Sequence, residues 1–216
     1  MTLPVIVIGA GGHASVDADA LLASGRVVLG FTDPAPARHD GRLCGLPVLG
    51  DDDVLAHYSP NEVELANGMG SLGGSQQPLR RRVQEMLEGQ GWRFCSVVHP
   101  SAVVSPFAHL GASVQLMACC IVQPGATVGR GAVVNTGAVI EHDAKVGIWS
   151  HIAPRALLCG NTEVGAVSHV GAGAVVRQGV VLGPTTLIGA GAVVVRNFAG
   201  DGTLVGIPAQ ELERKV

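Results

Sequence analysis

The chain has little charge and almost no aromatic character. Charged residues fill 14% of its 216 positions and aromatics 3%, against a usual charged share of about 25%. A disordered chain would be more charged and less apolar, so the 47% apolar content excludes that class. Basic residues are not in excess: the net charge of −3 gives no general pull toward nucleic acid or an anionic membrane. The one basic cluster, Arg80-Arg81-Arg82, reads as a solvated helix face. The opening MTLPVIVIG lacks the positive region of a signal peptide. The uncharged stretch from Gln178 to Val195 holds Pro184 and four glycines on a short period, which argues against a membrane span. The five cysteines, Cys44, Cys95, Cys119, Cys120 and Cys159, are odd in number and contain no CxxC. That excludes a disulfide framework and a zinc knuckle, and favours reduced thiols and a cytoplasmic location.

Glycine is abundant instead, at 31 residues. Each costs up to about 1 kcal/mol inside a helix, so an ordinary helical domain is excluded. Near residue 96 the pattern changes. Before it, strands and helices alternate: Pro4 to Ile8 as a strand, a glycine turn over Gly9 to Gly12, a helix from Ala14 to Ser24, and a strand from Val27 to Phe31. A strand at Val63 to Ala66, a helix at Leu79 to Glu88 and a last strand at Phe94 to Val98 complete the series. This order predicts an α/β domain over 1–96, a small Rossmann-like parallel sheet with right-handed crossovers.

From Val97 the chain reads in sixes. The second position of each unit is Val, Leu or Ile in all seventeen units from Val98 to Val194. The sixth is Ala, Ser, Thr, Cys or Val in sixteen, failing only at Phe198, and no insertion breaks the phase over 102 residues. One inward aliphatic residue per six and a small residue at each corner describe a triangular solenoid of about eighteen residues per coil. The second domain, 97–216, is therefore expected to be a parallel β-helix. Gly, Asn and Asp at the corners supply positive φ.

Two segments carry chemistry. Gly9-Ala10-Gly11-Gly12-His13-Ala14 satisfies GxGxxA between a strand and a helix, with Asp33 following the second strand. Glycines there let backbone amides approach a phosphate at a helix N-terminus. The domain is short for a full dinucleotide site, which favours a single nucleotide-bearing ligand. In the solenoid, the eight charged residues of the 102-residue repeat include Glu141 and Asp143, which flank His142. A carboxylate beside a histidine orients the imidazole and strengthens it as a base. His151 and His169 are eighteen residues apart and are expected to stack on one face.

The GAGGHA turn, the Asn135–Asp143 segment NTGAVIEHD, the unbroken hexapeptides and the closing Val205-Gly-Ile-Pro-Ala209 together resemble the bacterial nucleotide-sugar N-acetyltransferases. These are the PglD-like and perosamine N-acetyltransferase-like enzymes, close to the sialic acid O-acetyltransferases. The resemblance covers essentially the whole chain and implies a left-handed β-helix. It implies that His142 is the general base, and that Asp143 is the acid that raises its basicity, with Glu141 the lesser candidate. His151 corresponds to a histidine near the acetyl-CoA thioester, and Ala172 and Ala190 to positions lining the acetyl-CoA groove. Gly11, Gly12 and His13 correspond to the loop holding the sugar nucleotide's phosphates, Asp33 to a nucleoside contact and Gly68 to a substrate contact. The family are homotrimers with acetyl-CoA between adjacent prisms. The chain departs from relatives that carry Lys at Ser15 and an apolar residue at Asp17, and in the glycine-rich NGMGSLGGSQQ loop.

The implied reaction is direct acetyl transfer from acetyl-CoA to the C4 amine of a UDP- or GDP-linked 4-amino-4,6-dideoxyhexose, without a metal. No cysteine adjoins His142 in sequence, which disfavours an acyl-enzyme. An O-acetyltransferase of sialic acid or another sugar hydroxyl would use the same base. A zinc hydratase on the same coil needs three convergent histidines, two of them as HxxxxH, and that spacing is absent. A non-catalytic scaffold or nucleotide sensor on the same solenoid is separated from an enzyme by replacing His142.

Overall fold

A computed structural model of the chain describes residues 2–38, 41–70 and 79–212. These fall into two compact units, 2–70 with 79–100 and 101–212.

In the first unit the aliphatic run Val5–Ile8 forms β1, whose four residues are all buried. It is an inner strand of a five-stranded sheet. β2 (Val28–Thr32) and β5 (Glu64–Asn67) flank it, both parallel. β3 (Arg42–Leu43) and β4 (Leu46–Gly50) give the order β3-β4-β2-β1-β5. β4 runs parallel to β2, but β3 returns antiparallel as a hairpin that the sequence reading lacked. Its strands are too short to show an alternation. Helix α1 (Gly12–Ala23) follows β1 directly and buries Ala14, Ala18 and Leu21. Helix α2 is Leu79–Gly89. Of the strand expected at 94–98, Phe94 makes an isolated bridge to Leu65, and Val97–Val98 is a separate two-residue strand.

The arginine cluster is a correction. Arg80 is 1% exposed. Burial lowers its pKa to about 10, against the opposing pull of Asp17, which is itself fully buried. Arg81 pairs along a partly exposed helix face, with Glu85 at 2.9 Å. Three consecutive helical residues are spread over about 200°, and here Arg80 falls on the inward side.

The second unit is the coil. Every hexapeptide contributes a two-residue strand, and from Leu116 to Val194 its second residue is buried, whereas Val98 and Leu110 in the first units are exposed. One face stacks Ile121–Val122, Val139–Ile140, Leu157–Leu158 and Val175–Val176. A second stacks Thr127–Val128, Lys145–Val146, Glu163–Val164 and Val181–Leu182. The third stacks Gln115–Leu116, Val133–Val134, His151–Ile152, His169–Val170 and Leu187–Ile188. It is closed by the hairpin Thr203–Gly206 and Ala209–Glu211. Register between coils is eighteen residues throughout these pairs, and the ladder N–H groups reach the next coil's carbonyls at 2.7–3.0 Å, as in Gly147 to Val164 and Cys159 to Val176. The inward Leu116, Val134, Ile140, Ile152, Leu158, Val170 and Val176 are all 0% exposed.

Corners determine how closely coils approach. A Cβ at Gly147 would lie 2.5 Å from the amide nitrogen of Ala166 in the next coil, so that corner admits only glycine. The third corner residue takes positive φ. Gly and the expected Asp143 and Asn161 fill some of these places, but so do Arg155 at 58° and the β-branched Val167 at 59°. The stacked ladder fixes the backbone there and overrides the local preference.

Candidate functional site

The strongest chemical group of the coil lies on the corner at 141–144. Asp143 sits in the left-handed region at φ 60°. That conformation brings its Oδ2 to 2.9 Å from Nδ1 of His142. With the carboxylate accepting, Nδ1 carries the proton and Nε2 keeps its lone pair, the tautomer a general base needs. Both side chains are exposed, at 55% and 59%. Glu141 makes no side-chain bond to any described residue; its backbone N–H and carbonyl serve the coil, to Leu158 and from Ala144. One coil on, Cys159 stacks over Glu141, as the eighteen-residue period requires. No hydrogen bond joins its thiol to His142. The half-buried Cys95 and the buried Cys120 are pushed up by desolvation to about 11 and about 12, which keeps them as thiols.

On the third face His151 and His169 stack in register as expected, their rings 4.9 Å apart at 76°. The Asn135 side-chain Oδ1 accepts from the Thr136 N–H at 2.7 Å, so its Nδ2 donates to His151 Nε2 at 3.0 Å. His169 is held below the usual histidine range by burial. Ala172 and Ala190 are exposed on the neighbouring corner, eighteen residues apart, and the Ala172 carbonyl accepts the Gly191 N–H at 2.8 Å.

In the first unit, a cavity of about 570 Å³ is lined by Gly11, Asp33, Arg38, Asp52, Gly68 and Met69, among others. Helix α1 opens at Gly11 with no side-chain cap, so its first amides are free of a capping side chain. A Cβ at Gly11 or Gly12 would meet nothing within 4 Å. Packing does not require these glycines, and the space over them is open for a ligand. Gly68 differs: a Cβ there would lie 2.6 Å from Val7 Cγ1 and 2.7 Å from Ala14 Cβ, so its glycine closes β5 against α1. Asp33 grips the glycine turn. It accepts from the N–H of Ala10 at 3.1 Å and of Ala35 at 2.9 Å, and pairs with Arg38 at 3.0 Å. Burial alone would raise its pKa, but the Ala35 and Ala10 amides and the Arg38 guanidinium together lower it. Arg38 also donates to the Ala10 carbonyl at 2.8 Å.

Comparison with known proteins then decides the family. The profile of the PglD N-terminal domain matches residues 4–87. The acetyltransferase domain of PglB from Neisseria gonorrhoeae FA1090 is 35% identical, with 98% of this chain and 100% of that chain covered and a TM-score of 0.89. The chain belongs to the PglD and perosamine N-acetyltransferase family. PerB from Caulobacter crescentus, solved with CoA and GDP-perosamine, is 34% identical over 99% of each chain, with a TM-score of 0.89. WeeI from Acinetobacter baumannii AYE shares the fold at 22% identity, with 98% of this chain and 100% of that chain covered and a TM-score of 0.85. None of the curated proteins matches the chain.

As a member of this family the chain brings its expected residues into three groups. Gly11, Asp33 and Gly68 share the cavity, while Gly12 and His13 follow in the first turn of α1, outside its lining. His13 Nε2 lies 3.9 Å from the buried Asp17 carboxylate. His142 and Asp143 form the second group, and His151 the third, with Ala172 and Ala190 at the edge of its face. Within one coil the corner at 141–144 is opposite the face that carries His151. With six residues per side at about 3.3 Å each, the two stand on the order of 15 Å apart. Arg38, Asn135 and His169 join these groups without having been assigned roles from sequence. Residues 71–77 of the NGMGSLGGSQQ stretch lie outside the described residues. Among the described residues no three His, Cys, Asp or Glu side chains converge as a metal site, and no helix is long and apolar enough to cross a membrane.

Proposed function

We propose that the chain transfers the acetyl group of acetyl-CoA to the C4 amine of a nucleotide-linked 4-amino-4,6-dideoxyhexose. The observation that carries this reading is the 2.9 Å His142–Asp143 bond, which leaves Nε2 of an exposed imidazole as a free base. The complex of PerB with CoA and GDP-perosamine supports the substrate class. A histidine-to-asparagine variant of the Caulobacter crescentus perosamine N-acetyltransferase has been solved with both ligands bound.

The amine nitrogen attacks the thioester carbonyl carbon, and the carbonyl becomes an oxyanion that a corner N–H stabilises. His142 Nε2 takes the proton released by the amine, and Asp143 stabilises the imidazolium. The C–S bond then breaks, and the CoA thiolate leaves and accepts a proton. No protein nucleophile and no metal take part. Gly11, Gly12 and His13 hold the diphosphate at the start of α1. Asp33 serves the nucleoside by fixing the loop, and Gly68 borders the sugar. His151, Ala172 and Ala190 hold the pantetheine arm.

One coil cannot present His142 and His151 to the same acetyl group, because they lie on opposite sides of it. A second copy must supply one of them, and this supports a homotrimer with sites between adjacent prisms. The five free thiols fit a cytoplasmic enzyme. In this reading 1–96 binds the nucleotide sugar and 97–216 transfers the acetyl group.

The test is CoA release with UDP- and GDP-linked 4-amino-4,6-dideoxyhexoses, sialic acid and amine-free controls, for the native chain and His142→Asn. Turnover of an amino sugar nucleotide, lost in the variant, supports the proposal. Turnover of hydroxyl acceptors alone makes the enzyme an O-acetyltransferase, and no release of CoA at all refutes acetyl transfer.

A further inference from the structure

We propose that Gly125 and Gly160 are positioning residues for the His142–Asp143 dyad, each leaving out a side chain where the dyad must lie; this rests on His142 acting as the base. Coils stack at eighteen residues, so the second place of this corner is filled in turn by Pro124, His142, Gly160 and Gln178. The third place is filled by Phe107, Gly125, Asp143, Asn161 and Gly179. Ladder bonds bear out the stacking: Asp143 N–H to Pro124 O at 3.1 Å, Asn161 N–H to His142 O at 3.0 Å and Gly179 N–H to Gly160 O at 3.0 Å.

The coil does not itself ask for glycine at either place. Gly160 lies outside the positive-φ region, and proline, histidine and glutamine occupy the same place in neighbouring coils. Gly125 is at φ 73°, but Asp143 at 60° and Asn161 at 61° hold that conformation with side chains. What each glycine accommodates is the dyad. A Cβ at Gly160 would lie 2.5 Å from Nε2 and 2.6 Å from Cε1 of His142. A Cβ at Gly125 would overlap Asp143 Oδ1 and lie 3.3 Å from its Cγ. The imidazole therefore rests on the bare backbone of the coil that follows, and the carboxylate on that of the coil before. Both side chains are more than half exposed. Neighbouring side chains do not enclose them, and these two backbone surfaces, with the bond between them, set their orientation.

The experiment uses the full-length protein with Gly160→Ala, Gly125→Asn and, as a control in the same column, Gln178→Ala. Steady-state kinetics are combined with ¹⁵N NMR of histidine-labelled protein, with the His142 resonances assigned through His142→Asn. The expected result for Gly160→Ala and Gly125→Asn is a kcat loss of about tenfold or more, with KM for acetyl-CoA changed by less than about threefold. The Nδ1–H signature of His142 should be lost in both, and Gln178→Ala should leave kinetics and spectrum unchanged. Added to His142→Asn, Gly160→Ala should cost nothing further. Native His142 spectra in both glycine variants would overturn the proposal, as would an equal kcat loss in the His142→Asn background. If His142→Asn keeps native kcat, the base assignment fails, and the spectra alone still decide whether the glycines seat the dyad. Gly125→Asn keeps the question open to test should Gly160→Ala fail to fold.

Discussion

Replacing Asp143 by Asn keeps the size of the side chain and an acceptor for His142 Nδ1, and removes the charge. Opposite unit charges about 4 Å apart attract by roughly 1 kcal/mol at the dielectric of water and roughly 4 kcal/mol at an effective dielectric of 20. The two side chains are 55% and 59% exposed, which places the pair toward the watery limit. The imidazolium formed in the transition state should then lose about 1–2 kcal/mol, or roughly 5- to 30-fold in kcat. His142→Asn removes the base altogether and should cost about 100- to 10,000-fold. Free CoA, separated chromatographically at saturating substrates, measures both. An Asp143→Asn kcat equal to the native value would refute a supporting carboxylate. A loss as deep as that of His142→Asn would make Asp143 an obligatory partner and refute the screened-charge arithmetic.

Three further outcomes are expected. Leu158 is fully buried between Ile140 and Val176, and the ladder on both sides prevents collapse, so Leu158→Ala should cost about 3–5 kcal/mol by urea unfolding; a loss under about 1.5 kcal/mol would show that the coil relaxes into the cavity. Burial lowers the pKa of His169 below 6.5, so the unfolded chain takes the proton first as pH falls. Stability present above pH 6.5 should be lost as pH falls through the folded value, by no more than about 1.4 kcal/mol per pH unit, and His169→Gln should abolish that slope. Asp33 is also shifted down, below 3.8, which for an acid favours the charged form, so its contribution is present above that pH and lost as pH falls through the lower folded value. Asp33→Asn should flatten that acid limb and raise KM for the nucleotide sugar by freeing the Ala10 turn; an unchanged KM would place the nucleotide elsewhere.

The sequence by itself determined the coil, because one inward aliphatic residue in every six is a statement about burial along one dimension, and a period survives in a bare string. It also determined the glycine turn after β1 and the neighbours of His142. Adjacency alone did not choose between Glu141 and Asp143, a preference for Asp143 coming only from the resemblance; φ at Asp143 turns that carboxylate onto Nδ1. Nor did the sequence show that Arg80 points inward, or that Arg38 and Asp33 clamp Ala10. Those facts depend on side-chain direction and on contacts across distant parts of the chain, which periodicity does not encode. The glycines at 125 and 160 look like ordinary turn residues in the string. Only the stacking of one coil on the next, eighteen residues away, reveals that what fills their missing side-chain space is the dyad itself.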